Sequence, residues 1–128
     1  MSNDSLLKER KPLDLSNAIV ASPEGLSKAE RNALPLLCDE VEKRTGIRLE
    51  IAHQWPQSKR PVICVLPATH LTSFAGTRAG KATDSVGSDR PEGFRLVVET
   101  TGEGATVFVV GNDARGVLFG VGRLLQEL

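Results

Sequence analysis

The run Thr106-Val-Phe-Val-Val110, the turn Gly111-Asn-Asp-Ala-Arg-Gly116 and the amphipathic stretch from Val117 to Leu128 constrain the fold more than any other part of the sequence. All five residues before Gly111 are β-branched or aromatic, which suits a strand buried on both faces better than a surface strand. At about 100° per residue, Val117, Val121, Leu124, Leu125 and Leu128 then fall in one arc, the pattern of a core-facing helix. Strand, tight turn and helix follow one another directly. Phe119 lies outside that arc, on the opposite side with Arg115, Arg123 and Gln126, and Gly116 and Gly120 are read as lying alongside it. A single exposed aromatic is ordinary on a protein surface. The other reading is a helix with two partners, only one of them in this chain, which makes Arg115, Phe119 and Arg123 the candidate interdomain contact.

Upstream, Ala18-Ile-Val-Ala21 reads as a short strand ended by Ser22-Pro-Glu-Gly25. Ser27 and Glu30 have the spacing of a capping box, so a helix is expected to begin there. Its apolar face is read as Leu26, Ala29, Ala33, Leu37 and Val41, and Gly46 suits the left-handed position after its end. Pro35 removes an amide and crowds the preceding turn, so the helix either kinks there or restarts with Pro35 in its first turn. Ile47 to Ala52 alternates apolar and polar residues and reads as a second strand, parallel to the first through a helical crossover.

Residues 53–61 form a loop, Val62 to Leu66 a third strand, and Pro67 ends it. From Thr72 to Gly93 the chain is rich in Gly, Ser, Thr and Asp, the composition of a long functional or disordered loop. Phe94 to Thr100 alternates again, with Phe94, Leu96 and Val98 on one side, and Thr101-Gly-Glu-Gly104 turns the chain into the last strand as an antiparallel hairpin. Residues 1–16 are polar and charged and read as a flexible lead-in, leaving 17–128 as one domain. The fold class is therefore α/β, an α+β type two-layer sandwich with a mixed sheet of about five strands and two helices on one face.

Charge narrows the partners. Sixteen basic and sixteen acidic residues cancel, which provides no electrostatic footprint for nucleic acid or anionic membrane. No run approaches the roughly 20 apolar residues of a membrane span, and the N-terminal residues lack the apolar centre of a signal peptide. Cys38 and Cys64 read as buried thiols rather than a disulfide.

The turn from Gly111 to Gly116 has the spacing of a phosphate loop, but Val117 and Leu118 stand where such a loop needs Lys and then Ser or Thr. A structural role suffices: Asn112 or Asp113 caps the helix, and the glycines allow a tight turn and close packing. His53 and His70 sit in no HExxH pattern and near no cysteine at zinc spacing, so neither a metal nor a cofactor is expected. Asp84, Asp89 and Glu92 occupy the long loop, a poor platform for paired carboxylates. No catalytic residue is assigned. Trp55 beside His53 is read either as a lid over the edge of the core or as a ring that stacks on a sugar.

Three stretches resemble one family. Val41-Glu-Lys-Arg-Thr-Gly46 followed by Ile47-Arg-Leu49 is similar to its helix end and short strand, and Pro91-Glu-Gly-Phe-Arg-Leu96 to its Glu-Gly-Tyr/Phe strand entry. Gly111-Asn-Asp-Ala-Arg-Gly-Val-Leu-Phe-Gly120, with Leu124 and Leu125, resembles its diagnostic pattern Gly-x-Asp-x-Arg-Gly-x-x-Tyr/Phe-Gly. The family is the non-catalytic N-terminal domain of glycoside hydrolases, found before the barrel of β-N-acetylhexosaminidases and α-glucuronidases. The resemblance runs from about Ala18 to Leu128, and Pro35 departs from the family's alanine-rich helix centre.

It implies a zincin-like fold without the zinc motif, with the glycosidic carboxylates in a following catalytic barrel. That barrel, in the same polypeptide, would be the partner, with polysaccharide as a further one. The fragment is then expected to be inactive alone and its parent to be a glycoside hydrolase, either periplasmic or secreted. The helical pattern runs to Leu128 without a stop signal, which fits either excision from a longer chain or a protein that ends in a helix. A carbohydrate-binding module using His53, Trp55 and the 72–93 loop is the alternative.

Overall fold

The β-branched run becomes a strand hydrogen-bonded on both sides and buried from Val107 onward. The computed structural model describes residues 17–57, 60–76, 78–79, 93–100 and 105–127. Along the chain these form β1 (Ile19–Ala21), α1 (Lys28–Thr45), β2 (Glu50–Ala52), β3 (Val62–Pro67), a 3-10 turn (Ala68–His70), α2 (Leu71–Ala75), β4 (Phe94–Glu99), β5 (Thr106–Gly111) and α3 (Ala114–Glu127). One mixed sheet results, ordered β2-β1-β3-β5-β4. Its first four strands in that order are parallel, and β4 runs antiparallel along β5 at the edge. The parallel pairing of β1 with β2 and the β4–β5 hairpin pairing are as the sequence predicts. The lead-in 1–16, the turn 101–104 and Leu128 lie outside the described residues.

Strand alternation divides the core in two. Ile63, Val65, Val107 and Val109 face α1 and α3, whose Leu37, Val41, Val117, Val121 and Leu124 cover them. The two long helices thus share one face, the two-layer arrangement expected. Cys64, Leu66, Phe108 and Val110 face the other way and are covered by Leu71 and Ala75 of α2, with Trp55 and Phe74 packed against them. Cys38 on α1 and Cys64 on β3 belong to opposite faces, both are free, and burial pushes both thiols upward.

Helix α1 begins as its sequence dictates. Ser27 Oγ accepts from the Glu30 amide at 3.2 Å, and the Glu30 carboxylate accepts from the Ser27 amide at 2.9 Å. Gly46 closes the helix at φ 78°, donating to the Glu42 carbonyl at 2.8 Å. Pro35 neither restarts the helix nor ends it: one helix runs from Lys28 to Thr45 with Pro35 inside. Proline leaves the Arg31 carbonyl without its helical donor, and both residues lie on the exposed side, where water can supply one. The buried stripe is Ala33, Leu34, Leu37, Cys38 and Val41, and Ala29 faces solvent rather than the core. Ser27→Ala is expected to cost about 1 kcal/mol, read as a lower urea midpoint with an unchanged slope.

Two further expectations are corrected. The strand expected over residues 47–52 is confined to Glu50–Ala52, with Leu49 in the core just before it and Ile51 exposed at the sheet edge. The stretch read as a loop from Thr72 begins as helix: Leu71 and Ala75, four residues apart, put two apolar groups on one side of a single turn. Gly76, at φ 59°, ends it. Within that stretch, residues 77 and 80–92 lie outside the described residues.

Candidate functional site

Asn112, Asp113 and both glycines of the β5–α3 junction have structural partners. Asp113, not Asn112, caps α3: its Oδ1 accepts from the Gly116 amide at 2.8 Å, and its carbonyl accepts from Val117 at 3.0 Å. The Asn112 amide donates to the Gly93 carbonyl at 2.8 Å and ties the junction to the start of β4. A Cβ on Gly111 would lie 2.2 Å from the Val117 nitrogen, and one on Gly116 would lie 2.2 Å from the Gly93 oxygen. One on Gly120 would meet Val109 Cγ1 at 2.7 Å. None of the three has a positive φ, so here glycine supplies room rather than backbone freedom. The Gly116 amide, one of those a bound phosphate would use in the first helical turn, is already taken by the helix's own cap.

Gly116 and Gly120 are buried and do not accompany Phe119. They extend the buried arc toward β4 and β5, so the helix backbone itself lies against the sheet there. At its other end α3 is held by α1, because Arg44 donates Nη1 to the Leu125 carbonyl. Glu40 lies 3.7 Å from the same guanidinium.

The outer side of α3 carries two large apolar residues that the domain's own core leaves partly exposed, beside the polar Arg115 and Gln126. Phe119 is 46% exposed and Leu118, which borders the buried arc in the sequence, is 40% exposed. Phe94, at the start of edge strand β4, is 38% exposed, and its side chain lies against the Gly120 position of α3. Among the described residues only Leu36 and Ile51 are comparable exposed apolar groups, so α3 with its neighbouring edge holds most of them. Arg115 is exposed beside this face. Arg123 is half-buried and pairs with Glu127 at 3.8 Å, a partly exposed pair of small net worth.

The second candidate lies after β2. Trp55 is half-buried between Phe74, with ring centroids 5.9 Å apart, and Phe108, at 6.0 Å. The Arg78 guanidinium sits 5.2 Å over the indole. These contacts give Trp55 a place at the edge of the α2-side core. His53 is exposed, with Nδ1 3.2 Å from the Ser22 carbonyl, and His70 Nδ1 is 3.2 Å from Thr69 Oγ1. Among the described residues no three His, Cys, Asp or Glu side chains gather as metal ligands. Asp84, Asp89 and Glu92 lie outside the described residues.

The sequence matches no protein-family profile and no curated protein. Its fold matches solved glycoside hydrolase chains. One is a family GH115 4-O-methyl-α-glucuronidase, BtGH115A, with specificity for decorated arabinogalactans: TM-score 0.63, 18% identity, 88% of this chain and 14% of that one. Another is the family GH84 chain CpGH84D: TM-score 0.59, 16% identity, 88% of this chain and 17% of that one. At such identities the likeness is one of fold. The present chain spans less than a fifth of the length of either neighbour.

Proposed function

We propose that this chain is a non-catalytic accessory domain of a glycoside hydrolase, placed N-terminal to a catalytic (β/α) barrel that it packs on and orients. One observation carries the reading: at the diagnostic motif Gly111, Gly116, Gly120 and Asp113 serve internal packing and capping, while its bulky apolar residues Leu118 and Phe119 face outward. A helix face kept apolar without use in its own domain is suited to a second packed layer. Arg115, Phe119 and Arg123 form the contact with the barrel, joined by Leu118 and Phe94. Burying one such side chain fully contributes roughly 1.5–3 kcal/mol. The likeness to glycoside hydrolase chains, over a small part of their length, supports the same reading. The related families would be the α-glucuronidases and β-N-acetylhexosaminidases, and the chemistry would belong to carboxylates of the barrel.

The alternative, a carbohydrate-binding module built on Trp55, His53 and the 72–93 loop, has less support. The indole already packs with Phe74, Phe108 and Arg78. Two measurements separate these readings. The isolated domain is expected to show no turnover on a panel of aryl glycosides. It is also expected to give no saturable Trp55 fluorescence change with xylan or chitin fragments. Turnover abolished by one carboxylate substitution would overturn the accessory role in favour of an enzyme, and saturable quenching would favour the binding module.

A further inference from the structure

We draw no further inference here: the strongest candidate, the stack of Arg78 on Trp55 between the loop after β2 and the segment after α2, is one cation on one ring, and nothing among the described residues points to a ligand beside it.

Discussion

Gly116→Ala is expected to destabilise the domain by about 3 kcal/mol, a large share of the roughly 5–15 kcal/mol that holds such a domain folded. The added methyl would sit 2.2 Å from the Gly93 carbonyl oxygen. That oxygen cannot swing aside as a side chain end could, because it also accepts the Asn112 amide. Relief requires α3 to lift from β4, which uncovers the core beneath Val117 and Val121 and pulls on the Asp113 cap. Gly122, on the same helix, is the internal control: nothing lies within 4 Å of its would-be Cβ. Gly122→Ala is expected to stabilise by about 0.5–1 kcal/mol, because alanine loses less backbone freedom in a helix. Urea midpoints of the two variants against the parent sequence measure both effects. Equal and small shifts would mean that the glycine at 116 is not there for close packing.

Phe108→Ala is expected to cost about 3–5 kcal/mol, the range for emptying a buried phenylalanine site. Phe108 is fully buried in the sheet's α2-facing core. It also forms one of the two aromatic walls around Trp55, at 6.0 Å. The loss should therefore appear twice, as a lower midpoint and as red-shifted Trp55 emission from a wetter indole. Phe108→Leu keeps much of the volume and is expected to cost less, about 1 kcal/mol, so the emission change can be read in a variant that stays folded. Unchanged emission in both variants would mean that Trp55 does not pack on this core.

What the sequence made readable was local and periodic. The Ser27–Glu30 box, Gly46 and the arc from Val117 to Leu125 each depend on residues within a few positions of one another, and each is found in place. The buried strands β3 and β5 were legible because continuous apolar runs rich in β-branched residues suit strands buried on both faces. Helix α2 was not, since a five-residue helix carries only Leu71, Phe74 and Ala75 as apolar residues and the surrounding Gly, Ser and Thr outweigh them. The sequence puts Gly116 and Gly120 beside Phe119, against their buried position, because a residue without a side chain carries no weight on a helical wheel. Their inward position follows from how near the backbone comes to Gly93 and Val109, a long-range fact. Leu118 is not legible for a related reason: it borders the buried arc, and only the surrounding fold decides that it stays exposed.

The candidate site was legible to a similar degree. Phe119 was recognisable as an outward residue from its angle alone, whereas the neighbouring Phe94 joins the same side of the molecule only through the pairing of β4 with β5. Trp55 stayed ambiguous because its packing partners, Phe74, Arg78 and Phe108, are distant in sequence.

The outward face of α3 as a contact surface is tested most directly by Leu118→Glu combined with Phe119→Lys, measured both in the isolated domain and in the polypeptide that carries the proposed barrel. Both replacements are good helix formers at exposed positions, so the isolated domain's thermal midpoint should move little, equivalent to about 0.5 kcal/mol. In the longer polypeptide the same pair should weaken domain–barrel packing by several kcal/mol, through lost apolar burial and buried unpaired charge. A much larger midpoint drop there is the expected result. The same small shift in both would contradict a docking role for this face.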